Sequence, residues 1–461
     1  MDWRVEHDLL GEKGVPKDAY YGIHTLRASE NFITSGSRVH PRLIKAVAYV
    51  KEAAAKANMA LNKLPEGSGK AIIKACNEIR TGQYADQFIL YGIQGGAGTS
   101  INMNVNEVIA NRAIELLGGR KGDYNLVHPL NHVNMAQSTN DVIPTAVRIA
   151  LLQSAKELQL NVTNLEKAFS KKARQFHHVV KMGRTHLQDA IPIRLGQEME
   201  AYGAVAGNDR KRIKSAVSVL HEINIGATAV GTSLNAEPRY IEIVTKELSM
   251  LTGLPLKKAK NLVCATQNTD GYLQYSAALK SFAVNLSKIA NDLRLMASGP
   301  QAGFSEIFLP PVQAGSSIMP AKVNPVIPEM VNQVAFQIQG NDMTVTLACG
   351  AGQLELNVMQ PVLALNLIQS TEMLAETAKI FTEKCVLGIK ANEKRCRLMV
   401  EESVGLVTAL SPVIGYEKAS SVAKEALVSG KTIKEVVLSR KLLSKEQCEF
   451  LLSEEHLVNA K

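Results

Sequence analysis

Residues 279–296 read LKSFAVNLSKIANDLRLM, and in them Leu279, Phe282, Leu286, Ile289, Leu293 and Met296 recur at intervals of three and four. That period is the apolar seam of one helix face packed in a bundle. Long segments of the same kind run over 142–180, 195–225, 325–348 and 361–386. Five such helices, each ~30–45 Å long at about 1.5 Å per residue, predict a mainly α protein with an elongated helical body. Val362, Leu363, Leu365, Leu367 and Ile368 put apolar groups on more than one face of the last segment. Such a helix needs cover on several sides, which predicts burial between subunits as well as within one.

Outward from this centre the character of the chain changes twice. Residues 1–140 are mixed, with short helical patterns over 41–61, 67–81 and 104–117 separated by polar, glycine-bearing loops. Residues 141–390 hold the long helices, and 391–461 form a set of shorter ones over 392–402, 416–429, 432–440 and 444–452. Three domains are therefore expected in 461 residues. Aromatics make up only 5% of the chain, so Ala, Leu, Val, Ile and Met must fill the core, which suits helix-on-helix packing.

The net charge of +9 raises a nucleic-acid reading, but the Lys and Arg are scattered among acids. The densest run, 208–214, lies inside a helical pattern and reads as a solvated face, so no nucleic-acid partner is expected. Six cysteines stand far apart with no CxxC pair, which favours free thiols over a zinc site or a disulfide framework. The opening residues, MDWRVEHDLLGEK, are charged and lack the apolar stretch of a signal peptide, and no apolar run of membrane-spanning length occurs. A cytoplasmic protein without a membrane partner is expected.

Four polar stretches carry candidate chemistry. Gln94–Asn102, QGGAGTSIN, lets backbone N–H groups approach an anion ahead of a helix, or else makes a tight turn. His132–Asp141, HVNMAQSTND, places Ser138, Thr139 and Asn140 at a helix start, where they either receive a carboxylate or simply cap the helix. Lys181–Ala190, KMGRTHLQDA, sets Thr185 and His186 beside Arg184; such a pair can bind or protonate a carboxylate, although a lone histidine is more often structural. The fourth stretch, Gly299–Pro325, contains glycines and prolines with no helical period, as functional or disordered loops do. It ends in GSSIMPAKVNP, with Ser316 and Ser317 followed by Lys322 and Asn324. Backbone donors and that lysine can lower the pKa of a serine hydroxyl. A Gly-Ser-Ser spacer is the alternative, but Ile318, Met319 and Pro320 are too apolar for one.

Taken together, GSSIMPAKVNP (315–325), GRTHLQDA (183–190) and QSTND (137–141) resemble the aspartase/fumarase superfamily over nearly the whole chain. Within it, PKDAYYGIHTLR (16–27), GATAVGT (226–232) and VNPVIPEMVNQ (323–333) are more similar to the aspartate ammonia-lyases than to class II fumarases. The resemblance implies a three-domain fold whose central bundle of five long helices assembles into a twenty-helix homotetramer core. Each active site would then combine segments from three subunits. It implies a small-molecule substrate, with anti elimination of ammonia from L-aspartate to fumarate through an aci-carboxylate intermediate, no organic cofactor and no metal ligand.

Position by position, the resemblance makes Ser316 the base. Thr99, Ser138, Thr139 and Ser317 would hold the side-chain carboxylate on which charge builds. Asn140 and His186 would lie against the departing amine. Thr185, Lys322 and Asn324 would bind the α-carboxylate, and Glu329 would pair with the site histidine. Three positions depart from the family: Leu130 in HPLN (128–131) removes a polar group from a second anion site, Ala321 stands where glycine is usual, and Gln360 where glutamate is common. The rival readings are a class II fumarate hydratase and a non-catalytic structural homologue.

Overall fold

The chain opens on an antiparallel hairpin, β1 (Trp3–Asp8) and β2 (Gly11–Pro16), in register from Trp3 opposite Pro16 to Asp8 opposite Gly11. This computed structural model describes residues 2–34 and 36–458. Helices α1 (Ile23–Asn31), α2 (Pro41–Ala60), α3 (Glu66–Arg80) and α4 (Thr99–Leu116) follow. Next come the long α5 (Thr139–Gln175), a second hairpin of β3 (Val180–Thr185) and β4 (Gln188–Arg194), and α6 (Leu195–Ser218). Two shorter helices, α7 (Pro238–Thr252) and α8 (Leu262–Gln267), precede the long α9 (Asp270–Met296), α10 (Val326–Gly350) and α11 (Gln360–Lys384). Six short helices finish the chain: α12 (Glu393–Glu402), α13 (Val407–Ile414), α14 (Tyr416–Ser429), α15 (Ile433–Ser439), α16 (Lys445–Leu451) and α17 (Glu454–Val458).

The five long helices are those expected from periodicity, and the seam read in 279–296 is buried throughout: none of its six residues is more than 5% exposed. Helix ends follow local chemistry. Proline opens α2 and α7, where its missing N–H has no helical acceptor to lose, and Gly253 closes α7 in the left-handed region. Capping boxes, Thr432 with Glu435 and Ser444 with Gln447, start α15 and α16. Both hairpins and the helix α13, which carries Pro412 inside it, lie outside the expected elements. The expected helices over 142–180 and 195–225 stop earlier, at Gln175 and Ser218.

Contacts divide the chain into two compact units. The first comprises residues 1–159, 211–281 and 337–375, the second 160–210, 282–336 and 376–461, so each contains part of every long helix. In the first, α2 packs on α3, α4 and α7, and buried polar pairs such as Tyr275 Oη with Thr371 Oγ1 (3.0 Å) tie the long helices together. In the second, the short C-terminal helices bury Leu410, Val422, Val436 and Cys448 against Val180 and Met182 of β3. Among the described residues no helix is long and apolar enough to cross a membrane.

Candidate active site

In the first unit, two of the polar stretches meet at the starts of α4 and α5. Gly96, Ala97 and Gly98 all have positive φ (+86°, +57° and +90°), and they turn the chain so that Thr99 becomes the first residue of α4. That start lies five residues ahead of the one periodicity suggested, because the first turn carries Thr, Ser and Asn in place of apolar residues. A Cβ on Gly98 would stand 3.1 Å from the Ile143 side chain of α5, so glycine allows this close approach. The contact brings Asn102 to Thr139: its Nδ2 donates to Thr139 Oγ1 (3.2 Å) and to Asn134 Oδ1 (3.1 Å).

A proline shapes the start of α5. Pro144 has no N–H to donate to the carbonyl four residues back, that of Asn140. Asn224 Nδ2 donates to that carbonyl instead, at 3.0 Å, while Asn140 Nδ2 donates to Ala229 O at 2.8 Å. Asp141, fully buried, accepts from the backbone N–H groups of Ser138, Gly226 and Thr228 (3.0, 3.1 and 2.9 Å). Burial pushes its carboxyl up to about 7, against these donors. Residues 224–229 thereby join the site, although in the sequence only 226–232 stood out, as a family likeness. Ser138 Oγ accepts from Asn140 N (3.2 Å), so in this state it caps the helix, as the plainer reading had it.

Beneath this stretch lies Lys51, wholly buried on α2. Its Nζ donates to Asn134 Oδ1 (2.8 Å) and Gln137 Oε1 (2.9 Å). Asn134 Oδ1 also receives Asn106 Nδ2 at 3.2 Å. Burial pulls the Lys51 ammonium down to about 7, with the Asp141 charge opposing. Above that pH the amine keeps two N–H groups, which these two amide oxygens use. Sequence reading missed Lys51 because a lysine in VKEAAAK looks like any exposed helix cation.

The remaining candidates belong to the second unit. Thr185 ends β3, and His186 and Leu187 make a two-residue turn to β4 with φ of +56° and +61°. Two positive φ values match the primed turn that suits strand twist, but Gly or Asn is usual there. Non-glycine residues in this region are strained and persist where surroundings enforce them. Thr185, His186 and Leu187 are all exposed.

The loop of 315–325 is pinned at its neck. Gly315 N donates to Lys322 O (2.9 Å), and Asn324 Nδ2 donates back to Gly315 O (2.6 Å). A Cβ on Gly315 would stand 2.4 Å from Lys322 O, so no other residue fits the neck unmoved. Ser316 Oγ accepts two backbone N–H groups, from Met319 (2.9 Å) and Ile318 (3.2 Å). Donors aimed at an oxygen favour its negatively charged form. Beyond the neck the loop stands in solvent, with Ile318 84% exposed. Ala321 has φ +64°, the region glycine prefers, so the departure from the family's glycine carries strain. A cavity of about 700 Å³ lies along this segment, lined among others by Lys322, Asn324 and Arg294, and by Glu329 from the first turn of α10. No hydrogen bond or ion pair between described residues joins Glu329 to His186 within the chain. The geometry thus joins the first turn of α4, which Thr99 opens, to Thr139 through Asn102 in one unit, and holds Thr185, His186 and the serine loop in the other.

Residues 11–340 match the family model described as Lyase, and residues 406–459 the one described as Fumarase C C-terminus. An aspartate ammonia-lyase from Bacillus sp. is 56% identical over 452 residues, which cover 98% of this chain and 97% of that one. A crystal structure described as a fumarate lyase/delta crystallin from Brucella melitensis, bound to cobalt, is 50% identical, with a TM-score of 0.94 over 98% of each chain. A recombinant class II fumarase from Schistosoma mansoni reaches the same TM-score and coverage at 36% identity.

Proposed function

The chain belongs to the lyase family of the aspartase/fumarase superfamily, and from that premise we propose that it catalyses the reversible elimination of ammonia from L-aspartate to give fumarate. The observation that carries this reading is the pair of backbone N–H groups on Ser316 Oγ, on a loop that also bears Lys322. An ordinary serine cannot serve as a base at neutral pH; one whose oxyanion is held by two oriented donors and a nearby cation can.

In the proposed reaction the Ser316 alkoxide takes the proton from the carbon beside the side-chain carboxylate. The electron pair moves into that carboxylate, giving an aci-carboxylate dianion. It then returns to form the carbon–carbon double bond as the carbon–nitrogen bond breaks and ammonia leaves on the opposite face. Thr99, Ser138, Thr139 and Ser317 hold the carboxylate on which charge grows, Ser138 with its O–H while its oxygen still accepts from Asn140 N. Donors that tighten as charge develops lower the barrier, whereas those that bind both states equally do not. Thr185, Lys322 and Asn324 hold the α-carboxylate. Asn140 and His186 face the amine, and Glu329 orients the histidine across a subunit boundary.

The reading places the enzyme in the cytoplasm as a homotetramer, with domains over 1–140, 141–390 and 391–461, a twenty-helix core and each site shared by three subunits. It calls for no organic cofactor and no metal ligand. Purified protein is given L-aspartate or L-malate and fumarate absorbance is followed. Faster turnover of aspartate is the expected result; faster turnover of malate would make the chain a fumarate hydratase instead.

A further inference from the structure

Four charged side chains with no part in the proposed chemistry are packed together on and against the β3–β4 hairpin that carries the His186–Leu187 turn. Lys181 and Arg184 stand on β3, Glu198 on α6, and Glu306 at the base of the serine loop, ten residues ahead of Ser316. Glu306 is fully buried and Lys181 nearly so, at 0% and 3% side-chain exposure. Glu306 Oε1 accepts from Arg184 Nη1 at 2.8 Å, and its Oε2 lies 2.9 Å from Lys181 Nζ. Lys181 Nζ also donates to both oxygens of Glu198 at 3.0 Å. The Arg184 guanidinium lies 4.1 Å from the centre of the Phe304 ring.

Two cations meet two carboxylates, so the cluster is neutral as a set. Buried ion clusters are weak contributors to stability, since well-packed apolar side chains often serve as well. What they give is a fixed geometry, and here the geometry reaches two site segments at once. Arg184 is the neighbour of Thr185, and its Nη1 is held by one oxygen of Glu306 while Nη2 lies against Met399 Sδ (3.5 Å). The main chain of Glu306 is itself fixed: its N–H donates to Met296 O (2.9 Å) and its carbonyl accepts from Asn392 N (2.8 Å). The strained turn needs such an anchor, because His186 and Leu187 do not favour positive φ unaided.

We propose that Glu306 is a positioning residue whose carboxylate, through Arg184 and Lys181, holds the turn bearing Thr185 and His186 where the substrate meets it. The proposal rests on the lyase reading for its kinetic part. It acts through binding groups rather than through the proton transfer, so its loss weakens substrate binding more than it slows the bound complex.

The test uses the full-length enzyme with Glu306→Gln and Arg184→Lys, read by steady-state kinetics with L-aspartate and by amide hydrogen exchange. Glu306→Gln is expected to raise KM about tenfold while kcat changes less than about threefold. Exchange over 183–189 quickens, while the seam of 279–296 keeps its protection. Arg184→Lys keeps the charge but loses the fork, so a smaller change in the same direction is expected; it carries the test alone if Glu306→Gln does not fold. An unchanged KM with unchanged exchange at the turn overturns the proposal, as does faster exchange spread through the whole unit with KM unaltered. If the unaltered enzyme does not deaminate aspartate, the lyase reading falls, and exchange at the turn still decides whether Glu306 holds it.

Discussion

The start of α5 and the loop of 315–325 are both short segments that bear serine and asparagine, yet they are held in opposite ways. At the start of α5 nearly every polar group is tied inward: Thr139 to Asn102, Asn140 to Asn224 and Ala229, and the stretch ahead of them to buried Lys51. Among the described residues the loop is fastened at its neck, by two bonds between Gly315 and residues 322 and 324, and its tip, turned on Ser316 Oγ, is exposed. The difference matches the two tasks proposed for these segments. A carboxylate on which charge builds needs donors already in place, since reorganising them during the reaction raises the barrier. A base that must reach a substrate and then exclude water gains from a segment able to move as one piece.

Apart from Ser316 itself, the largest expected effect is at Lys322. Lys322→Met should lower kcat/KM for L-aspartate by about 10²–10³-fold, as loss of a charge-stabilising donor does, with the melting temperature nearly unchanged. A loss below tenfold would mean that the loop's cation is not at the substrate. On the rigid side, Lys51→Met should lower kcat/KM by roughly tenfold to a hundredfold without touching substrate, by releasing Asn134 and Gln137. Its pH behaviour sharpens the point. With the folded pKa near 7 and the unfolded one at 10.5, the unfolded chain holds a proton that the folded one lacks over that interval. Wild type should therefore gain stability relative to Lys51→Met as pH rises from 7 to 10. Denaturation midpoints measured across that range check it, and a falling difference would contradict the neutral amine.

Gly315→Ala should cost kcat roughly tenfold by spreading the neck, with little loss of affinity for a dicarboxylate inhibitor. If inhibitor binding suffers more than turnover, the neck serves the loop's carboxylate-binding groups more than it serves delivery of the base. The smallest effect is at Ala321, where a left-handed backbone costs a residue with a Cβ roughly 1 kcal/mol. Ala321→Gly should raise stability by no more than that and change kcat by less than about twofold. Thermal unfolding and initial rates check both.

The helical frame was legible because long helices repeat their apolar residues over many turns, as Leu279 to Met296 do. The loop was legible because proline and glycine break that period. The hairpin of β3 and β4 was not: its turn is built from His186 and Leu187, where the expected signal is glycine or asparagine, and strain does not show in composition. Nor was the frame behind the site. Lys51 and Glu306 look like surface charges in a string of letters, and only tertiary packing buries them. Pro144 reads as a helix breaker, yet it frees the Asn140 carbonyl for Asn224, a pairing across 84 positions that no local pattern carries.

The central claim, that the loop brings the base Ser316 to the substrate, is tested most directly by Ser316→Ala. Its turnover of L-aspartate and its binding of a non-reactive dicarboxylate such as succinate are measured on the same protein. A fall in kcat of about 10²–10⁴-fold, with succinate affinity within about threefold of wild type, is the predicted result. Turnover that survives the substitution, or that falls only in step with succinate affinity, would contradict it.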